Sequence, residues 1–227
     1  VVTEFTISYK VGSREQSRTV TTPIRILDRN SMSWFDDRCA AAYVTAKDPA
    51  VLSFAKNVIG LASNRTGQTS DRGLTSAVAI HAALELYGMN YIVDPKSSYA
   101  SLSGSRGAID FLQFPRQTLE YRSGDCDDLS ILYAALLESA GVETAFITIP
   151  GHIYIAIAMD LDEATTRKTF PLTNDFIFRD GRAWLPLEIT ERKGGFVRAW
   201  KIGAEEWRQN SASGQARFFP VREAWQV

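Results

Sequence analysis

The sequence is poor in cysteine and histidine and has no excess of either charge. Its 227 residues include two cysteines, two histidines, 25 basic and 26 acidic side chains, for a formal net charge of −1. Two cysteines exclude a disulfide-rich scaffold and a four-cysteine zinc site. The balanced charge offers no electrostatic basis for binding nucleic acid, so we predict no nucleic-acid partner. No apolar run approaches the length of a membrane-spanning helix, and we expect no transmembrane segment.

The composition indicates a globular protein with one sizeable domain, since 45% of the residues are hydrophobic. Residues 1 to 28 differ from the rest because apolar and polar β-formers alternate along two runs. A Gly-containing segment at 12–15 separates the runs, which predicts a β-hairpin. We therefore divide the chain into an N-terminal β-rich extension over 1–48 and a larger domain over 49–227. Because the chain opens without methionine, we expect a mature form or a piece of a larger protein.

Apolar spacing and turn residues divide the larger domain into helices followed by strands. The predicted helices begin at Asp48-Pro49, cover 73–86, run from Cys126 to about Gly141, and cover 204–209. The predicted strands are 143–149, 152–159, 175–178 and 183–189, with Asp180-Gly181 as a hairpin turn. Polar segments at 63–72 and 97–107 are predicted loops. Helices and strands that are segregated in this way predict an α+β fold.

Cys126 lies where a loop meets a helix, within the run Gly124-Asp125-Cys126-Asp127-Asp128. The free N–H groups and the dipole of a helix start favour a negative charge, so a cysteine there ionises most easily. The thiolate form is the nucleophile. We therefore expect Cys126 to be exposed and reactive rather than bridged to Cys39.

Two later strands carry the partners that a cysteine nucleophile requires. A base must take the thiol proton, and a third group must orient the base. His152 begins one predicted strand and Glu188 lies on another, four residues after Trp184. The pattern favours Cys126 as nucleophile, His152 as base and Glu188 as the orienting group, although His152 as a core residue and Glu188 as a solvent-facing one remain open. The other histidine, His81, lies within an apolar helix and is predicted to be structural.

These segments resemble the transglutaminase-like superfamily, the circularly permuted relatives of papain-type cysteine proteases. The matching residues are the Gly124–Asp128 run with its helix, Gly151-His152, and the acidic residue after Trp184, within about residues 70 to 192. The resemblance implies a papain-like core in which the helix carrying Cys126 packs on an antiparallel sheet. Most members have aspartate where this chain has Glu188.

The resemblance also implies a function. The implied protein is a thiol protease or amidase that acts on a protein or peptide through a thioester at Cys126. The sequence does not decide whether water or an amine then resolves the thioester. The alternative is a catalytically inactive binding or scaffolding module of a larger envelope-associated protein. The bacterial branch that the chain resembles favours the periplasm or cell envelope over the cytoplasm.

Two further sets of residues bear on the chemistry. Stabilising an oxyanion requires a donor besides the Cys126 N–H, and of Gln113 and Gln117 we prefer Gln117 because it is nearer in sequence.

The carboxylates of Asp125, Asp127 and Asp128 should raise the pKa of the thiol if they are ionised. They are interpreted either as caps of the helix or as a calcium site, as in the calcium-dependent periplasmic cysteine proteases that the chain resembles. We expect no required cofactor, with Ca²⁺ as the one candidate.

Overall fold

The computed structural model describes residues 1–63, 71–94, 99–102 and 108–226. Contacts divide the chain into two compact units, Val1–Ser31 and Met32–Val227, so that residues 32–48 belong with the larger unit. The predicted loops at 63–72 and 97–107 lie largely outside the described residues.

The first unit is the β-hairpin that the alternating sequence predicts. Strand β1 (Val2–Val11) pairs antiparallel with β2 (Arg14–Pro23), from Val2 opposite Pro23 to Val11 opposite Arg14. Gly12 has a φ of +62° at the first position of the two-residue turn. Turns with a positive φ at this position match the right-handed twist of the two strands, and glycine adopts that φ readily. Apolar side chains of the hairpin, among them Phe5 and Ile7, are exposed.

The second unit combines helices with short and long strands. The helices are α1 (Pro49–Ser63), α2 (Arg72–Leu86), α3 (Tyr99–Leu102), α4 (Pro115–Tyr121), α5 (Cys126–Ser139), α6 (Glu163–Thr169), α7 (Gly195–Ala212) and α8 (Val221–Ala224). The strands are β3 (Ser31–Met32) at the boundary, β4 (Asn90–Tyr91), β5 (Asp110–Phe111), β6 (Ser123–Gly124), β7 (Thr144–Ile149), β8 (His152–Asp162), β9 (Ile177–Arg179), β10 (Arg182–Leu187) and β11 (Arg217–Pro220). 3₁₀ turns span Asp37–Tyr43 and Thr173–Asp175.

Five strands form the antiparallel sheet that supports the candidate site, in the order β11-β7-β8-β10-β9. Pro150-Gly151 joins β7 to β8, and Gly151 takes a φ of +74°, so His152 begins β8 directly after the turn and pairs with Ile149. Asp180-Gly181, with φ values of +53° and +73°, forms the predicted turn between β9 and β10. Helix α5 packs on this sheet, and its residues from Cys126 to Glu138 are buried. The predicted α+β fold is therefore confirmed.

Helix α7 is longer than predicted, and several short elements were missed. The sequence predicts a helix at 204–209, whereas α7 covers Gly195–Ala212. Helices α4, α6 and α8 and strand β11 are short segments whose apolar periodicity is too brief to detect. Within the described ranges, no helix has the length and apolar character needed to cross a bilayer.

Candidate functional site

Cys126 is the first residue of α5, and a tight approach between Gly124 and the helix fixes its place. A Cβ atom on Gly124 would lie 2.5 Å from the Cβ of Asp128, so only glycine allows β6 to pass so close to the first turn. Cys126 as a whole residue is 5% exposed. The prediction of an exposed thiol was therefore wrong, because the segments around the helix start cover the sulfur.

The surroundings of Cys126 oppose ionisation of the thiol. Its pKa is raised, first by burial and then by the charges of Asp127 and Asp125, while a hydrogen bond from the backbone N–H of Ile153 acts in the opposite direction. The expectation of an easily ionised thiol thus fails in the protein alone, since burial and two carboxylates outweigh the helix start. Cys126 and Cys39 are both free thiols, as predicted. The contact with Ile153 places the thiol beside the residue that follows His152.

His152 and Glu188 form a buried pair. The Nε2 atom of His152 lies 2.6 Å from Oε2 of Glu188. The other oxygen, Oε1, accepts hydrogen bonds from the backbone N–H of Thr190 at 2.8 Å and from its hydroxyl group. Tyr154 stacks on the imidazole with 5.8 Å between ring centroids. Because Nε2 faces the carboxylate, Nδ1 is the nitrogen through which this imidazole could accept a thiol proton.

The two partners shift each other's pKa in opposite directions. Burial lowers the pKa of His152, but the hydrogen bond and charge of Glu188 outweigh burial, and the net pKa is raised. Burial raises the pKa of Glu188, and the contacts with His152 and Thr190 reverse this, so that the net pKa is lowered. Glu188 therefore faces His152 as a carboxylate and does not point into solvent.

Glu206, on α7, is a third member of this cluster that sequence reasoning missed. Ligand atoms of His152, Glu188 and Glu206 all lie within 4.8 Å of one another. The carboxyl groups of Glu206 and Glu188 are in hydrogen-bonding contact, and burial together with the charge of Glu188 raises the pKa of Glu206 to about 7. In the sequence, Glu205-Glu206 has the pattern of an exposed helix surface, and only the packing of α7 distinguishes the two residues.

The three aspartates around Cys126 form a second buried cluster. Ligand oxygens of Asp125, Asp127 and Asp128 lie within 4.8 Å of one another, and all three residues are buried. Asp125 occupies the N-cap position of α5 but makes no side-chain capping bond, so the capping interpretation was wrong for Asp125. The Oδ1 atom of Asp127 accepts a hydrogen bond from the backbone N–H of Asp128 at 2.7 Å. Asp128 accepts hydrogen bonds from the backbone N–H and from Nε2 of Gln113.

The donor set of this cluster fits a hard cation. Asp110 also contacts Asp127, which brings a fourth buried carboxyl group to the cluster. Burial and the neighbouring acids raise the pKa of Asp127 and bring that of Asp128 to about 8. Among the described residues, Oδ1 of Asp125 is buried without a hydrogen-bond partner. None of the ion pairs between described residues includes an aspartate of this cluster. Clustered oxygens of this kind are the ligands that Ca²⁺ prefers.

The two glutamines proposed as oxyanion donors have identified partners. Nε2 of Gln113 donates to Asp128, which directs this amide into the acidic cluster. Oε1 of Gln117 accepts from the backbone N–H of Phe114 at 2.8 Å and so caps α4. The oxyanion role of Gln117 stays a prediction.

His81 lies in the core on α2. Its Nδ1 atom is 3.1 Å from the hydroxyl oxygen of Tyr133. Burial and the charge of Arg192 lower its pKa to about 4, so the ring is neutral over the physiological range. This environment is that of a structural histidine, as the sequence predicts.

A cavity of about 470 Å³ adjoins the turn before His152. It is lined by Gly151, Trp34, Tyr99 and Arg217 among others. The pKa of Tyr99 is raised, mainly by burial and further by Asp37 of this cavity and by Cys126. Tyr99 thus lines the cavity and also interacts electrostatically with Cys126.

Comparisons with known proteins found distant structural likeness and no matching family. No protein-family model matches the chain, and no curated protein matches it. One solved structure that shows a likeness is a protein from Parabacteroides distasonis described as a candidate protease, with 12% sequence identity and a TM-score of 0.35. The likeness covers 70% of this chain and 34% of that protein, so the chain spans about a third of its length. A likeness at this score carries no argument about fold or function.

Proposed function

We propose that this protein is a cysteine-dependent acyl-transfer enzyme of the transglutaminase-like type that hydrolyses an amide or peptide bond through a thioester at Cys126. One observation carries the proposal. The thiol of Cys126 accepts a hydrogen bond from the N–H of Ile153, while the preceding residue, His152, is held by Glu188 through Nε2. Catalysis by a cysteine needs a thiol, a base that takes its proton and a third group that orients the base. Cys126, His152 and Glu188 are the candidates for these three roles.

The reaction follows from these groups. His152 accepts the proton of the Cys126 thiol, and the thiolate attacks the carbonyl carbon of the amide. The C–N bond breaks, and the imidazolium donates its proton to the departing amine. Water then attacks the thioester while His152 takes its proton, which releases a carboxylic acid and returns the proton to the sulfur. Glu188 orients the imidazole and stabilises its charged form.

The oxyanion would be stabilised by donors near the start of α5. The N–H of Cys126 belongs to the first turn, where N–H groups have no partner within the helix. Gln117 is proposed as a second donor through its side-chain amide, because it lies on α4, which precedes the helix that carries Cys126. The cavity beside Gly151 is assigned to the peptide substrate.

Calcium belongs to the proposal as a structural ion. Asp125, Asp127 and Asp128 would hold it, with Asp110 beside them. The ion would supply positive charge that offsets the carboxylates raising the pKa of the Cys126 thiol. The residues of the chain carry out every step of the reaction.

A catalytically inactive binding module is the alternative. The observation that favours it is the burial of Cys126, whose pKa is raised rather than lowered. Such a module would keep the fold and the acidic cluster without an activated thiol.

The rate of thiol alkylation distinguishes the two functions. We expect iodoacetamide in a calcium-containing buffer near pH 7 to label Cys126 faster than Cys39, whose pKa is raised by burial and which serves as an internal control. We expect His152→Ala to slow labelling of Cys126 about tenfold or more and to leave Cys39 unchanged. Peptide-resolved mass spectrometry measures both rates in one sample.

Turnover provides the second measurement. Cys126→Ala should abolish cleavage of a peptide library while leaving the thermal unfolding of the protein in place. Equal labelling of the two cysteines, with and without calcium, would instead support the inactive module.

A further inference from the structure

Helix α7 approaches the end of β10 unusually closely. A Cβ atom on Gly203 would lie 2.9 Å from the backbone nitrogen of Glu188 and 3.0 Å from the carbonyl oxygen of Pro186. The N–H of Glu188 donates to the carbonyl oxygen of Ala199 at 3.1 Å. The hydroxyl group of Tyr154 donates to the carbonyl oxygen of Gly203 at 3.2 Å. Glycine at 203 thus lets α7 dock directly on the strands that carry the His152–Glu188 pair.

This docking directs Glu206 at Glu188. Residues 199, 203 and 206 follow one face of a helix, because they are separated by four and three positions. The first two contact β10, so the third extends along the same face to the carboxyl group of Glu188. Oε2 of Glu206 is buried, and no N–H or O–H donor among the described residues reaches it.

The contact between the two carboxyl groups requires a proton or a cation. Two ionised carboxylates in contact repel each other, whereas one proton between them makes a hydrogen bond. The 2.6 Å separation of His152 Nε2 from Glu188 Oε2 is that of a hydrogen bond. Two atoms bound to one ion at about 2.1 Å each would lie farther apart than this. The cluster is therefore arranged to hold a proton rather than a metal ion.

We propose that Glu206 is a positioning residue for the candidate base: it shares a proton with Glu188 when neutral, and when ionised it adds a second negative charge that keeps His152 protonated. This inference rests on the proposed function for its catalytic meaning. The titratable groups that face Glu206 are Glu188 from the end of β10 and His152 and Tyr154 from β8. Of these, Glu188 and His152 change charge near neutral pH or below, so the three groups His152, Glu188 and Glu206 titrate together.

The consequence is a wider pH range for the imidazolium form. Above about pH 7 Glu206 becomes ionised, just where an isolated histidine would already be neutral. The added charge opposes the loss of the proton from His152. In a thiolate–imidazolium enzyme this would move the alkaline limit of activity to higher pH.

Titration of the two histidines by NMR tests the inference in the full chain with Cys126→Ala, so that no activity is needed. We expect Glu206→Gln to lower the pKa of His152 by about half a pH unit or more. The matched control is Glu205→Gln, which removes the same charge from the neighbouring, exposed position that pairs with Arg208. This control should leave His152 unchanged, and His81 should report an intact core in every variant.

A second measurement needs no substitution of Glu206. The carboxyl carbon of Glu206 in the unaltered site should titrate near pH 7 rather than near 4.5. An unchanged pKa of His152 in Glu206→Gln, or a Glu206 carboxyl that titrates near 4.5, would overturn the inference. Slow labelling of Cys126 combined with the expected titrations would instead overturn the proposed enzyme and leave the role of Glu206 in place.

Discussion

The hydrogen bond between His152 and Glu188 links the charge of each residue to folding. The pKa of His152 is raised above its ordinary value of 6.5, so its contribution to stability is complete below that pH and is lost as the pH rises through the folded-state pKa. The pKa of Glu188 is lowered from 4.5, so its contribution is present above that pH and is lost on acidification. The pair therefore stabilises the fold most between about pH 4.5 and 6.5.

Glu188→Gln should remove most of this contribution. Near pH 5.5 we expect the free energy of unfolding to fall by about 2 kcal/mol, because a buried charge-assisted hydrogen bond becomes a neutral one. At higher pH the loss should become smaller as the proton leaves His152 in the unaltered protein, since the pair then carries no positive charge. Urea denaturation across the pH range measures the difference.

A surface ion pair provides the comparison for this substitution. Glu163 pairs with Arg167 one turn away on α6, and both side chains are partly exposed. We expect Glu163→Gln to cost about 0.5 kcal/mol or less. A loss for Glu188→Gln that stayed constant from pH 5.5 through the pH at which His152 loses its proton would show that the charge of the pair contributes nothing to folding.

At the scale of the element, α7 shows how one close approach positions a side chain. Gly203→Ala would place a methyl group 2.9 Å from the backbone of Glu188, so either the helix or the strand must move. We expect a loss of about 2 kcal/mol in unfolding free energy. Gly60→Ala, in the last turn of α1 with nothing within 4 Å of its Cβ, should instead stabilise by about 0.5 kcal/mol. Thermal and urea unfolding compare the two, and equal effects would contradict the close approach.

The same helix shows where sequence reasoning ends. The sequence predicts only its middle, at 204–209, because Gly195 and Gly203 interrupt the pattern that helix prediction uses. The strand β11 is four residues long, too short for an alternating pattern to be distinctive. By contrast, α5 and the β9–β10 turn were predictable, since their signals are continuous or lie in two adjacent residues.

Some residues of the candidate site could be predicted from the sequence and others could not. Cys126, His152 and Glu188 could be selected from sequence because each lies in a local pattern with a chemical reason. Asp110 and Glu206 could not, because they reach the site only through the packing of β5 and α7. The exposure of Cys126 was predicted wrongly for the same reason, since a helix start is covered or open according to what packs on it.

At the scale of the whole molecule, the net charge is nearly balanced, but the interior contains a group of acidic side chains with no positively charged partner among the described residues. The net charge is −1, yet the carboxyl groups of Asp110, Asp125, Asp127 and Asp128 are buried together. Burial of like charges costs free energy unless protons or a cation compensate them. Stability of the protein without metal should therefore be limited by this cluster, and an ion that binds only the folded state would raise it.

Calcium should accordingly raise the melting temperature. At a free Ca²⁺ concentration of about 100 times the dissociation constant, binding adds about 2.7 kcal/mol, which corresponds to about 5 to 10 °C for a chain of this size. Magnesium should do less, because it demands a tighter octahedral site and gives up water reluctantly. Scanning calorimetry with Ca²⁺, Mg²⁺ and a chelator compares the three conditions.

Asp127→Asn gives the sharpest form of this prediction, because two effects of opposite sign are expected. In the presence of chelator the variant should melt higher than the unaltered protein, since a neutral amide replaces a buried acid whose pKa is raised by burial and by Asp125. In calcium the variant should gain little, because a ligand with full negative charge is gone. Asp180→Asn, at an exposed turn position whose φ of +53° asparagine tolerates, should leave both melting temperatures unchanged. An Asp127→Asn variant that still gained 5 °C or more from calcium, as expected for the unaltered site, would place the ion elsewhere.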